Sequence, residues 1–197
     1  FGNLLDMKTG KLRWKFQATP DDIFLTACLR PKKSLNCPNE GRLLDVDFGA
    51  APILARKVDG SDVLFGYVGN DRLYGGNGDD YLDGGWGNDT VSGGAGADYM
   101  ASSAGKDVFV FAPGDLLTGD PVDRVVDFSR GNDRLDLSAF DLTFIGSGSF
   151  SAAGQVRFGL VDGGTLVQVN TGGSLASDGD ILLVNVPAGI SASDLLL

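Results

Sequence analysis

Six aspartates stand nine residues apart in the middle of the chain: Asp62, Asp71, Asp80, Asp89, Asp98 and Asp107. A short carboxylate repeated at a fixed interval suits a hard cation held in a loop, and calcium is the ion that prefers such oxygen ligands. Cut from Lys57, the chain reads KVDGSDVLF, GYVGNDRLY, GGNGDDYLD, GGWGNDTVS, GGAGADYMA and SSAGKDVFV. Position four is Gly in all six units (Gly60, Gly69, Gly78, Gly87, Gly96, Gly105), and position six is the Asp. Glycines at positions one and two (Gly75 and Gly76, Gly84 and Gly85, Gly93 and Gly94) join those at position four in allowing positive φ and leaving carbonyls uncovered. The candidate metal ligands are therefore the six aspartates with the backbone of Gly69, Gly75, Gly76, Gly78, Gly84, Gly85, Gly87, Gly93, Gly94 and Gly96.

The elements that hold these loops follow from position eight, which is apolar throughout: Leu64, Leu73, Leu82, Val91, Met100, Phe109. The last three residues of each unit read as a very short strand, with position eight inward and its neighbours outward. One unit cannot bury its apolar residue alone, so the units must stack.

Composition agrees with loops that bind cations. The 197 residues include 25 Asp but a single Glu, Glu40, and 30 Gly. Asp outnumbers Glu where a short carboxylate must reach backbone in a turn or a metal in a loop. A largely helical fold is disfavoured by this usage, and 43% hydrophobic content disfavours wholesale disorder. Histidine is absent, which removes HExxH zinc sites, Ser-His-Asp triads and Cys-His dyads. Neither GxSxG nor a phosphate-binding loop is present. Residues 1–57 carry a net +4 and residues 58–197 a net −14. The acidic part favours cations and disfavours nucleic acid and anionic lipid. No apolar run approaches 18 residues, so no membrane span is expected. The chain starts at Phe1 without a signal-peptide pattern, as a mature form or a fragment would.

The six units resemble the RTX nonapeptide, GGxGxDxUx, a calcium-binding repeat. The resemblance implies a parallel β-roll with two units per turn and several Ca2+ ions between loops on the same side. It implies sites bridged by Asp62 with Asp80, Asp71 with Asp89, Asp80 with Asp98, and Asp89 with Asp107, completed by backbone carbonyls. The first unit has Lys57-Val58 for Gly-Gly and the last has Ser102-Ser103, departures that fit capping units. Asn88-Asp89-Thr90 matches a glycosylation sequon, but the repeat already accounts for Asp89.

After Val110 the pattern changes to ordinary short strands over 108–111, 124–128, 134–137, 155–160, 165–170 and 181–186, separated by Gly/Asp/Ser turns. Strands of this kind predict a β-sandwich that continues the roll. DRVVDFSRGNDRLDLSAF, GQVRF, TLVQVNTGG and SASDLLL resemble the segment after the roll in serralysin-type secreted metalloproteases. That resemblance implies a sandwich capping the roll. It also implies that Asp194-Leu195-Leu196-Leu197 is read by type I secretion machinery. A final edge strand is the other reading of the tail, and the two are compatible. Asp178 and Asp180 read as an Asp-Gly turn, with a further cation as the alternative.

Residues 1–56 differ. LLDMKTGKLRWKFQ resembles the tryptophan-docking motif of quinoprotein propellers, dehydrogenases that use pyrroloquinoline quinone. The stretches ATPDDIFLTACLRPKKSLNCPNE and DVDFGAAPILARKVDG are similar to the alcohol-oxidising branch, including the polyvinyl-alcohol type. About one blade's worth of chain cannot make a closed propeller, so a small irregular N-terminal cap is expected. Cys28 and Cys37 are either a disulfide or two free thiols.

The sequence thus predicts an all-β chain in three parts. Residues 1–56 form the propeller-like fragment, 57–110 the calcium-binding β-roll, and 111–197 the sandwich with its secretion tail. The expected function is a non-enzymatic, extracellular calcium-binding module for calcium-dependent folding and type I secretion. The alternatives are a remnant of a quinone-dependent alcohol dehydrogenase and a surface or adhesion component.

Overall fold

The computed structural model describes residues 60–119, 121–172 and 174–197, together with the backbone of Gly2–Leu5, Leu12–Phe16 and Ile53–Arg56. Cys28, Cys37 and most of the propeller-like segment lie outside the described residues. The described residues form strands with two short 3-10 turns. In chain order the strands are β1 (Gly2–Leu5), β2 (Leu12–Phe16), β3 (Ile53–Arg56), β4 (Asp62–Phe65), β5 (Arg72–Asn77), β6 (Tyr81–Asp83), β7 (Thr90–Ala95), β8 (Tyr99–Ala101), β9 (Val108–Val110), β10 (Asp123–Val125), β11 (Arg134–Asp136), β12 (Thr143–Phe144), β13 (Gln155–Val161), β14 (Gly164–Asn170), β15 (Gly179–Val184) and β16 (Leu195–Leu196).

Each nine-residue unit contributes one strand, and successive strands alternate between two sheets. The odd units supply β4, β6 and β8, paired parallel with Leu64, Leu82 and Met100 in register. The even units supply β5, β7 and β9, paired parallel with Leu73, Val91 and Phe109 in register. This is a β-roll with two units per turn. All six position-eight side chains are buried and share one core between the sheets. The strand period of two sends the intervening side chains outward, and Tyr81 and Tyr99 stack on the outer face with ring centroids 5.0 Å apart.

Both sheets continue past residue 110 without interruption. The larger has nine strands in the order β12-β13-β14-β15-β10-β8-β6-β4-β3, and the smaller five, in the order β16-β11-β9-β7-β5. β10 and β11 add parallel to β8 and β9 as one further turn of roll. β15 lies parallel to β10, and β13-β14-β15 form an antiparallel meander. All six strands expected after residue 107 are present, with ends shifted by a few residues. The edge strand expected in the tail is β16, and the short β12 has no counterpart in the sequence reading, because two residues carry no readable period. β3 pairs antiparallel with β4, so a strand from the N-terminal part is joined to the roll. β1 and β2 pair antiparallel with each other. No helix among the described residues is long and apolar enough to cross a membrane.

The tail is built into the fold. β16 is the edge strand of the smaller sheet, parallel to β11 with Leu195 opposite Leu135. Asp194, just before it, is 1% exposed and accepts hydrogen bonds from Ser191 N–H, Ser191 Oγ and Gly131 N–H, with Arg130 Nε 3.8 Å away.

Candidate metal centres

The loops of the roll stack along its two edges, and their aspartates form two columns. In one, the N–H of Asp62 donates to Asp80 Oδ1 and that of Asp80 to Asp98 Oδ1. In the other, the N–H of Asp71 donates to Asp89 Oδ1 and that of Asp89 to Asp107 Oδ1, both at 2.8 Å. These are the four aspartate pairs that the resemblance implies, each 18 residues apart. Asp62, Asp71, Asp80, Asp89, Asp98 and Asp107 are all buried.

The columns extend beyond the repeats. Asp98 N–H donates to Asp123 Oδ1 at 2.9 Å, and Asp107 N–H to Asp133 Oδ1 at 3.1 Å. Both acceptors are buried. The spacings of 25 and 26 fall outside the lattice, which is why periodicity does not find them. The sequence signal is an Asp just before or at the start of the next apolar strand, in PVDRVV and GNDRLD. Asp133 also accepts Ser129 N–H through Oδ2, so it closes its column as a turn residue. A second ladder runs through position five: Asn70 Oδ1 accepts Asn88 N–H, Asn88 Oδ1 accepts Lys106 N–H, and Asp79 Oδ1 accepts Ala97 N–H.

The loop backbone bends as the glycines permit. Positive φ occurs at position four in Gly60, Gly69, Gly78, Gly87 and Gly96, and at position two in Gly76, Gly85 and Gly94. Tyr67 and Ser103 adopt the same left-handed conformation at position two without being glycine. Position one is restricted by space instead: a Cβ on Gly84 would lie 2.5 Å from Asp89 Oδ2, and one on Gly66 2.9 Å from Asp71 Oδ2. Gly66 thus belongs to the loop set as much as Gly75, Gly84 and Gly93 do.

The second oxygens decide what these loops can hold. Oδ2 of Asp71, Asp89, Asp98, Asp107 and Asp123 is buried and accepts no hydrogen bond. Such oxygens are costly to bury as anions unless a cation meets them. Burial pushes the Asp89 carboxyl up to about 6, Asp123 to about 7 and Asp98 to about 8. The neighbouring aspartates of the columns push Asp89 and Asp98 in the same direction. Among the described residues no three carboxylates converge, so a metal held here would need backbone carbonyls beside the aspartates. Six to eight hard oxygens at flexible distances are what calcium takes, and magnesium's demand for a tight octahedron suits such loops less well. Asp178 and Asp180 do not join this set. Protein donors engage Asp178 at Thr171 and Gly172, and Asp180 at Gly119, Gln168 and Ser177.

A family model and one solved structure agree with this reading. Residues 58–91 and 87–109 match the family described as RTX calcium-binding nonapeptide repeat (4 copies). A solved structure of the AlgE6R2 subunit of the Azotobacter vinelandii mannuronan C5-epimerase is similar at 28% identity with a TM-score of 0.50. The match covers 68% of this chain and 91% of that one. The AlgE6R3 subunit of the same enzyme matches at 30% identity and a TM-score of 0.32, covering 72% of this chain and 75% of that one. A polyvinylalcohol dehydrogenase of Sphingopyxis sp. (strain 113P3) is 40% identical over 63 residues, 30% of this chain and 9% of that protein's length. The nine-residue units are thus RTX calcium-binding repeats on a β-roll, and the ion they take is Ca2+ at several sites.

Proposed function

We propose that this chain is a calcium-dependent folding and secretion module, working outside the cell as part of a larger protein. One observation carries the reading: two columns of buried aspartates in which Oδ2 of Asp71, Asp89, Asp98, Asp107 and Asp123 accepts no hydrogen bond. The ligands would be Asp62, Asp71, Asp80, Asp89, Asp98 and Asp107, continued by Asp123, with carbonyls of the Gly-rich loops. Calcium supplies the positive charge that lets neighbouring carboxylates lie one loop apart. Without it, the net −14 of residues 58–197 and the buried anions oppose closure of the roll. With it, binding free energy becomes folding free energy. Extracellular modules bind calcium at about 10⁻⁴–10⁻³ M, so the chain would stay open in the cytosol and close outside. The Asp194–Leu197 tail is the segment proposed to be read by type I secretion machinery, consistent with its resemblance to the serralysin-type ending. The module itself has no catalytic role in this reading.

Circular dichroism of the chain with millimolar calcium and with chelator tests the proposal. Strand content should appear with calcium and fall without it; the same spectrum in both overturns calcium-dependent folding. Export of a reporter fused to the chain, with and without residues 194–197, tests the tail.

The 63-residue similarity to a polyvinylalcohol dehydrogenase favours a second reading for the N-terminal part, as a piece of a quinone-dependent alcohol dehydrogenase. Quinone binding to the chain would support it, and absence of binding removes it.

A further inference from the structure

The last unit, SSAGKDVFV, places serine where the other loops leave least room. Position one faces the carboxylate of its own unit. A Cβ on Gly84 would lie 2.5 Å from Asp89 Oδ2, and Cβ atoms on Gly75 and Gly93 would overlap the Oδ2 of Asp80 and Asp98. Ser102 nevertheless carries a Cβ and a hydroxyl there. It is 1% exposed, and its Oγ is buried without a hydrogen-bond partner. Asp107, six positions into the unit, is equally buried, and its Oδ2 also lacks a partner.

Burial raises the Asp107 carboxyl and the nearby Ser102 hydroxyl lowers it, yet neither oxygen has a partner at hydrogen-bond geometry. A second carboxylate lies within electrostatic reach of Asp107: that of Asp127, which accepts the N–H groups of Ser102 (3.1 Å) and Ser103 (2.7 Å). Asp127 therefore caps the exposed amides of the last loop, where the earlier loops use the carbonyl of the next turn, as in Gly84 N–H to Ala101 O. A hydroxyl and a carboxylate oxygen, both out of reach of water and neither hydrogen-bonded, are costly to bury side by side. Both are hard oxygens of the kind calcium takes.

We propose that Ser102 Oγ joins Asp107 Oδ2 as a ligand of the calcium ion in the last unit, so that this site uses a side-chain hydroxyl that the glycine units do not have. The inference rests on the calcium reading of the aspartate columns and deepens it at one loop. It turns a departure from the repeat into a terminal site with its own ligand set.

Calorimetric titration of the full chain with Ca2+ tests this, comparing wild type with Ser102→Ala, Ser102→Gly and Ser102→Thr. Ser102→Gly restores the residue that the other units use and guards against a variant that fails to fold. Removing the hydroxyl should weaken one site of the set roughly tenfold, and Ser102→Thr should restore it. Terbium emission lifetimes in H2O and D2O should show one added inner-sphere water in the Ala and Gly variants. If all three variants titrate and hydrate like wild type, the ligand role of Ser102 is overturned while the columns stand. If wild type takes up no calcium, the column reading falls, and this inference with it.

Discussion

Asp98 donates its backbone N–H to Asp123 Oδ1 at 2.9 Å across 25 residues, repeating the contact that Asp80 makes with Asp98 across 18. Asp123 thus occupies the next place in the column, although no repeat precedes it. Asp123→Asn keeps the shape and removes the charge. It should raise the calcium concentration for half-folding about tenfold, read by circular dichroism during calcium titration. Asp136→Asn, outside both columns, should leave the midpoint unchanged.

Protons and calcium compete for the same oxygens. The folded pKa values of Asp89, Asp123 and Asp98, about 6, 7 and 8, lie above the ordinary 3.8. The calcium-free fold therefore holds more protons than the unfolded chain between about pH 4 and 8. The stability that these three carboxyls contribute is fully present below about pH 4 and is lost as pH rises through those values. Calcium-stripped protein should therefore gain strand content as pH falls from 8 to 5, read by circular dichroism. Calcium affinity should run the other way and strengthen as pH rises over the same range. Strand content of calcium-stripped protein that rises with pH would contradict the burial of these carboxylates.

Two glycines separate space from strain. Gly76 has φ +105°, with nothing within 4 Å of an added Cβ. Gly76→Ala should cost about 1–3 kcal/mol of stability through backbone strain and leave the number of bound calcium ions intact. Gly84→Ala would push directly on Asp89 Oδ2 and should remove one ion. Urea unfolding in saturating calcium and calorimetric stoichiometry distinguish the two.

Phe109 is fully buried and packs against Phe128 with ring centroids 6.2 Å apart. It links the last repeat to the turn of roll added by β10 and β11. Phe109→Ala should cost about 3–5 kcal/mol, measured by urea unfolding with calcium present.

Asp194 holds the tail against the Arg130–Gly131 turn. Burial would raise its carboxyl, but hydrogen bonds from Ser191 and Gly131 and the nearby Arg130 keep it below the ordinary range. Asp194→Ala should loosen β16 by about 1–3 kcal/mol. Hydrogen exchange should then speed up at Leu137, whose N–H donates to Leu196 O, while Val91 and Met100 in the roll stay protected.

Most of the roll was legible because its period does the work of pairing. A nine-residue unit with Gly at four, Asp at six and an apolar residue at eight sets a turn, a ligand and an inward side chain at once. The resemblance to the RTX nonapeptide implies two such units per turn, and with that the partners of Asp71 and Val91 follow by counting 18 residues. Beyond Phe109 the connections vary in length, and counting stops. PVDRVV and GNDRLD each show an Asp at the start of an apolar strand, but no fixed spacing ties Asp123 to Asp98 or Asp133 to Asp107. Tyr67 and Ser103 look like broken repeats, yet they keep the left-handed turn of the glycines they replace.

The sequence by itself determined the strand class, the nine-residue row of aspartates, the inward row from Leu64 to Phe109 and the choice of calcium, and the resemblance to the RTX nonapeptide supplied the pairing of the aspartates into columns. All of these are local or periodic, and local chemistry is written in adjacent residues. The tertiary structure alone decided that the columns run on into residues 123 and 133. It also decided that both sheets cross residue 110 without a break, that the tail strand pairs Leu195 with Leu135, and that Asp194 is buried against Gly131. These depend on which strands meet across loops of unequal length, and that is settled by burial of a shared core and pairing of backbone groups.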